Sequence, residues 1–354
     1  MSRTKPKMLF ICPCTPNIKG TGWEQRAFSF LNAYSNFLDI ELWFSPSFKS
    51  PDLLYKKKLI EICKSIVTFK RGSLNYKVDA SFRNAVQRAD LVHAFRFFLT
   101  FEHNVILWDF DELPRQIIKE SSGNFLERSY VPENFLEMRK KSKVAFSSSL
   151  VEKAASLGDV IEIPNVYDIN IKNRRDPDEN TLLFVGNMGF QPNINAIHWF
   201  AKEVLPVLPK SIRLRVVGRR PQSLETENLL LKLAKNRNID FVFDVDDCNV
   251  YYETVLAAIV PILNGGGTKL KVLEAFANHC PVISTSKGIE GLNVTKENEV
   301  LIANTANDFK EAILKVNKMS NQLSEIGFRY LVKNHSQKIV QDRILDTLTQ
   351  QGIF

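Results

Sequence analysis

Short runs of Val, Ile, Leu and Phe alternate along the chain with longer stretches whose apolar residues recur every three or four positions. In the first half the runs are Met8–Cys12, Ile40–Phe44, Ser65–Phe69, Leu91–Phe95, Val105–Trp108 and Val144–Ser147. They lack polar alternation, the mark of strands covered on both faces in a parallel sheet. The clearest helix runs from Trp23 to Leu38, with Ala27, Phe30, Leu31, Tyr34 and Leu38 at helical spacing. The second half repeats the rhythm, with strands at Leu182–Val185, Leu214–Val217, Asp240–Phe243, Ala258–Ile262 and Val282–Thr285. Helices fall near 193–204, 223–236, 248–257 and 268–278, and everything from Ala306 onward is helical. This alternation predicts an α/β chain of two domains, each a parallel sheet with helices on both faces. Polar Ile169–Asn180, which includes Arg174, Arg175 and Pro177, has linker composition. The domains are therefore expected at 1–168 and 181–335, with the helix of 336–354 available to pack back on the first.

A length of 354 residues suits two domains, and 44% hydrophobic with 24% charged residues excludes whole-chain disorder. The longest apolar run, Val255–Val260, falls far short of the roughly 18 residues a membrane span requires. Pro13 ends the run after Arg3, Lys5 and Lys7 too soon for a signal-peptide core, so a cytoplasmic location is expected. Of the net charge of +8, six lie in residues 1–165, which carry 24 basic and 18 acidic side chains. Basic runs at Lys56–Lys58 and Arg139–Lys143 leave peripheral contact with an anionic membrane surface open, beside a plain solvated face. Basic and aromatic residues do not interleave on one strand face, so no nucleic-acid partner is expected. Five cysteines without C-x-x-C spacing and five histidines without H-E-x-x-H spacing suggest neither a disulfide framework nor a metal. Three D-x-D triplets, beginning at Asp109, Asp176 and Asp244, are too ordinary to mark a metal site.

Ligands of open parallel sheets bind at the carboxyl ends of the strands, so strand-to-helix turns carry the chemistry. Two such domains in tandem would face a central cleft with those ends. The segment Asn264-Gly265-Gly266-Gly267-Thr268-Lys269 follows a predicted strand and opens a helix. Glycines admit close approach of a ligand and the helix start offers unpaired N–H groups, which together make an anion site. A plain glycine-rich turn with a solvated lysine is the alternative. On the helix, Leu270, Leu273, Phe276 and Ala277 form a core face, while Gly267, Lys271, Glu274 and Asn278 share an adjacent one. Glu274 there could accept two ribose hydroxyls, or pair with Lys271 at i, i+3.

The run NGGGTKLKVLEAFANHCPVISTSKGIEGL at 264–292 resembles the donor-site signature of glycosyltransferase family 4, in the branch with G-G-G-T-[KR]-x-K-x-L-E-A. Thr181–Gly186 with Gln191-Pro192-Asn193, the turn Val216-Val217-Gly218-Arg219, and the strand Phe241–Asp244 resemble other parts of the family's second domain. The resemblance implies a GT-B fold, two Rossmann-like domains, and a retaining transfer of sugar from a nucleotide diphosphate to a glycan or lipid-linked acceptor. It further implies a diphosphate held on Gly265, Gly266, Gly267, Thr268 and Lys269 with help from Arg219, and a ribose on Glu274. The base would lie against Phe243, Asp244 and Val245. Catalysis in the family stabilises a departing diphosphate and an oxocarbenium-like sugar, with no cofactor beyond the nucleotide-sugar co-substrate and no metal. Two positions depart from the pattern: Gly266 stands where many members have a first glutamate, and Asn187-Met188 where many have Arg and Lys. Lys269, Lys271 and Arg219 are the candidates to supply that charge.

In the first half, Lys19–Arg26 resembles the family's glycine-rich loop, which places Gly22 near the diphosphate and Arg26 beside the leaving phosphate. A flexible loop with a surface arginine is the alternative. Leu91-Val92-His93-Ala94 resembles the family's D-V-V-H-A strand end, and Asp109 follows the next strand where many members place a sugar-contacting histidine. His93, Asp109 and Arg26 are therefore the catalytic candidates, against a packed histidine and a helix-capping carboxylate. A nucleotide-sugar-binding module of the same fold, without turnover, is the alternative function that Gly266 and Asn187 keep open. Surface-polysaccharide biosynthesis is the expected setting of the enzyme.

Overall fold

A computed structural model describes residues 4–18, 20–46, 53–70, 75, 77–96, 99, 101–111, 133–148, 159–167, 178–221, 223–265, 268–294 and 298–354. The chain divides into two compact units. Tyr167–His335 belongs to the second, and the described residues before it join Ser336–Phe354 in the first.

In the first unit, strands β1 (Lys7–Cys12), β2 (Asp39–Phe44), β3 (Ser65–Thr68), β4 (Leu91–Phe95), β5 (Ile106–Asp111), β6 (Val144–Ser147) and β7 (Val160–Glu162) form one sheet. Its order is β3-β2-β1-β4-β5-β6-β7 and every pairing is parallel. The helices are α1 (Gly22–Tyr34), α2 (Leu53–Ile62), α3 (Ala80–Arg88) and α4 (Glu133–Lys141). β1 shows why its sequence is continuously apolar. Met8, Phe10 and Cys12 face one layer of the core with Ala27, Phe30 and Leu31, while Leu9 and Ile11 face another with Phe82, Val86 and Trp108.

The second unit holds β8 (Asp178–Val185), β9 (Arg213–Gly218), β10 (Ile239–Phe243), β11 (Val255–Val260), β12 (Val282–Ser284) and β13 (Leu301–Ile302). Their order is β10-β9-β8-β11-β12-β13, again parallel throughout. Helices α5 (Gln191–Trp199), α6 (Leu224–Leu233), α7 (Asn249–Tyr252), α8 (Leu270–Ala277) and α9 (Ala306–His335) cover it. Both sheets thus carry the Rossmann-like order, in which the chain reverses direction beside the first strand of each unit.

Two expectations need correction. The helix expected at 248–257 ends at Tyr252, because Val255–Val260 is buried at every position and a strand covered on both faces suits it better. The expected linker ends early: β8 begins at Asp178, whose carboxylate accepts from the Asn180 backbone and the Thr181 hydroxyl. The C-terminal helical region breaks at Ser336, whose side chain accepts from Ile339 N and caps α10 (Gln337–Gln350). α10 packs in the first unit, where Val340, Ile344 and Leu348 join the core and Gln337 Nε2 donates to Ser29 O (2.9 Å).

Candidate functional site

Parallel pairing brings the loops after β8, β9, β10 and β11 to one edge of the second unit's sheet. The order reverses between β8 and β11, so the loops after those two strands flank the switch point where ligands of such sheets bind. Backbone hydrogen bonds stitch the edge together: Gly186 N–H to Val217 O, Met188 N–H to Arg219 O and Asp244 N–H to Gly218 O (2.9, 3.0 and 2.8 Å). Gly218 has φ +151°, and a Cβ there would lie 1.9 Å from Gly186 O. Only glycine allows the two strand ends to approach so closely.

Lys269 precedes α8 in an extended conformation, and its Nζ donates to Gly265 O (3.0 Å). Among the described residues the buried Thr268 Oγ1, just before α8, has no hydrogen-bond partner. Lys271 crosses the switch point. Its Nζ donates to Asn193 Oδ1 (2.7 Å) and lies 3.9 Å from the centre of the Phe184 ring, while Asn193 Nδ2 donates to Asn187 O (2.9 Å). The Lys271 side chain is thus tied to the loop after β8, where the sequence lacks Arg and Lys. Burial, and then repulsion from Lys269, pulls Lys271 down to about 7 against the attraction of Glu274.

Glu274 lies one turn further along α8, with Lys271 and the Tyr167 and Tyr252 hydroxyls in its surroundings. Burial pushes its carboxyl up to about 7, although the Tyr167 hydroxyl, the Lys271 charge and the Tyr252 hydroxyl all pull it down. Asn249 Oδ1 accepts from Asn278 Nδ2 (2.8 Å) and from the Tyr167 hydroxyl (3.3 Å), which closes a polar cluster around the helix. Arg219 is exposed at the carboxyl end of β9. Phe243 and Val245 pack against the core at the sheet's edge. Asp244 between them has φ +58° and pairs with Arg220 (3.1 Å). Gly266 and Gly267 lie outside the described residues.

The first unit treats its candidates differently. Arg26, His93 and Asp109 are 1%, 0% and 0% exposed. Arg26 Nη2 pairs with Asp109 Oδ2 (2.8 Å), and its Nη1 donates to Ile163 O and Asn165 Oδ1 (2.7 and 3.0 Å). His93 stacks on Phe10 (4.6 Å between centroids) and its Nδ1 meets the Tyr34 hydroxyl at 2.9 Å. Burial, with the nearby Arg26 charge, holds its pKa well below the ordinary imidazole value, so the ring is neutral. Gly22 opens α1, but the helix start is capped from within: the Glu24 carboxylate accepts from the Thr21 N–H and hydroxyl (2.6 and 2.9 Å). An anion there would compete with the protein's own carboxylate. In the basic run on α4, Arg139 donates to the carbonyls of Ser142 and Asp159, so one of its charges serves the fold.

Sequence reasoning missed Tyr167, Tyr252, Asn193 and Asn249. Asn193 was visible in the Gln191-Pro192-Asn193 turn, but no spacing rule ties either tyrosine to Glu274. Among the described residues no cluster of His, Cys, Asp and Glu could hold a metal, and no helix is long and apolar enough to cross a membrane.

Residues 179–318 match the family described as Glycosyl transferases group 1. A 44.6 kDa protein from the cps region of Klebsiella pneumoniae, itself uncharacterized, is 29% identical over 168 residues. That match spans 45% of this chain and 43% of the relative. Solved structures align along nearly the whole chain. A glycosyltransferase of Rickettsia africae has TM-score 0.67 at 12% identity, covering 98% of this chain and 99% of its own. Anabaena HepE, in complex with UDP and glucose, has TM-score 0.65 at 11% identity, covering 96% and 99%. S. aureus TarM, in a complex that includes UDP, has TM-score 0.70 at 10% identity, covering 96% and 99%. Residues 179–318 of the second unit are thus similar to the glycosyl transferases group 1 family, and the chain takes the two-unit GT-B fold.

Proposed function

We propose that the chain is a retaining glycosyltransferase of family 4. It would move a sugar from a nucleotide diphosphate sugar to a hydroxyl of a glycan or lipid-linked acceptor. The observation that carries this reading is the convergence of Lys269, Lys271, Thr268 and Glu274 on the switch point of the second unit. A diphosphate beside the start of α8 meets two ammonium groups, the Thr268 hydroxyl and the helix's positive end. These interactions strengthen as the sugar–phosphate bond breaks and charge gathers on the departing diphosphate, which is where electrostatic catalysis acts. The leaving phosphate takes the acceptor's proton, so no separate general base is assigned. Lys271 would supply the charge that Asn187 and Met188 do not.

The cps-region relative and the UDP complexes of HepE and TarM support a nucleotide-sugar donor and a role in surface-polysaccharide assembly. Work at the cytoplasmic face of the membrane and metal-independent donor binding are parts of the proposal. A second reading, a nucleotide-sugar-binding module without turnover, is favoured by the burial of Arg26, His93 and Asp109.

A thermal-shift panel with UDP, GDP, ADP and CMP, without and with magnesium, tests the donor site. A ligand at about 100 times its Kd should add roughly 2.7 kcal/mol to the folded state, a rise of several degrees. The expected result is one nucleotide that stabilises the protein without magnesium, and loss of the shift in Glu274→Ala. No shift with any of the four would sink the donor-site reading. Release of free nucleotide from the matching nucleotide-sugar in the presence of acceptor then separates the enzyme from the inert module.

A further inference from the structure

We infer that Asn193 is a positioning residue for the donor diphosphate: its amide holds the Lys271 ammonium against the loop after β8 with a neutral acceptor, which leaves that charge to the phosphates. The inference rests on the donor-site reading above and extends it to a residue with no charge of its own. The loop after β8 turns its own side chains to structural use. Met188 is fully buried in the core, and Asn187 Oδ1 accepts from the Gly189 N–H (2.8 Å). Lys271 arrives from α8, on the other side of the switch point. Two neighbours fix where its Nζ stops: Asn193 Oδ1 at 2.7 Å and the centre of the buried Phe184 ring at 3.9 Å.

Chemistry decides which way the Asn193 amide faces. An ammonium only donates and a carbonyl only accepts, so Oδ1 meets Lys271 Nζ while Nδ2 donates to Asn187 O (2.9 Å). A flipped amide would lose both bonds. Asn193 is buried, and its backbone N–H donates to Phe190 O (3.0 Å), so backbone and side chain are tied to the same loop. Room for the amide exists because residue 186 is glycine: a Cβ there would lie 2.8 Å from Asn193 Nδ2 and 3.0 Å from the Phe184 ring. The charged neighbours of Lys271 are Lys269, which repels it, and Glu274, which attracts it. Phe184 and Asn193, which meet it from β8 and α5, carry no charge. An aspartate at 193 has nearly the same shape, but it would balance the lysine before any ligand arrived.

The test is isothermal titration calorimetry on the full chain with UDP, GDP or ADP, whichever binds, and with the matching nucleoside. Asn193→Ala should weaken diphosphate binding about tenfold, the size of one hydrogen bond to a charged group. Nucleoside binding should stay as in wild type, which also shows that the variant is folded. In a Lys271→Met background the same substitution should cost less than about twofold, because Asn193 acts through the lysine. Asn193→Asp should also weaken the diphosphate about tenfold. At pH 8 it should remove the proton taken up on binding, since a carboxylate beside Lys271 raises its pKa and charges it in advance. Equal losses with and without the lysine, or proton uptake by Asn193→Asp equal to that of wild type, would overturn the inference and leave Asn193 a support of the loop alone. Undiminished diphosphate binding in Asn193→Ala would overturn it too, while the donor site stands on the binding by wild type. Binding of none of the three nucleotides would remove both.

Discussion

Arg26 and Asp109 sit fully inside the first unit, and their charges are matched to each other and to Ile163 O and Asn165 Oδ1. Removing one partner leaves an uncompensated buried charge, so Arg26→Met should lower stability by roughly 3–5 kcal/mol in urea unfolding. Arg26→Met with Asp109→Leu should recover part of that loss, whereas a pair needed chiefly at a binding surface would show little change in stability. In the second unit, Glu274 and Lys271 both titrate at about 7, from opposite directions. Glu274 is raised from its ordinary value of 4.5, so the folded state holds the extra proton and this group's contribution falls as pH rises from 4.5 to 7. Lys271 is lowered from 10.5, so the unfolded state holds the extra proton and this contribution grows between 7 and 10.5. A diphosphate beside Lys271 raises its pKa again. Nucleotide diphosphate binding at pH 8 should therefore take up a substantial fraction of a proton, and Lys271→Met should abolish the uptake. Calorimetry in two buffers of different ionisation enthalpy reads this directly, and equal heats in the two would refute it.

Strand ends and helix starts are where glycine appears for a reason. Gly218 and Gly186 let the ends of β8 and β9 touch backbone to backbone, and the hydrogen bonds of Gly186, Met188 and Asp244 then fix three loops on one edge. Gly218→Ala must both abandon φ +151° and clear Gly186 O, so it should cost roughly 3 kcal/mol or more. It should also weaken nucleotide binding, since the Asn187 loop that supports Lys271 through Asn193 has to move. A variant with unchanged urea midpoint would disprove the close-approach argument. Gly20 makes the same point at α1, where a Cβ would lie 2.5 Å from Glu24 Oε2 and break the capping box.

The second unit is inserted within the first, because α10 returns after His335 to complete the sheet's cover. Val340, Ile344 and Leu348, spaced by one helical turn, bury completely against it. Ile344→Ala should cost about 2–5 kcal/mol. In differential scanning calorimetry the loss should fall on the first unit's transition, while the stabilisation conferred by nucleotide on the second persists. A single transition that shifts as a whole would show instead that the two units unfold together.

Hydrophobic periodicity was enough to read the two α/β units, most strands within a residue or two, and the glycine-rich start of α8, because each rests on local patterning. The length of α7 escaped it, since Val255–Ala257 suits either state until β8 and β12 pair with the two edges of β11. The burial of Arg26 and Asp109 also escaped, because a motif does not tell whether its side chains face solvent or the interior. Tyr167 reaches Asn249 only after the sheet has formed. The chain's chemistry was legible residue by residue; burial and the meeting of distant hydroxyls depend on packing, and packing alone decided which residues it left to act.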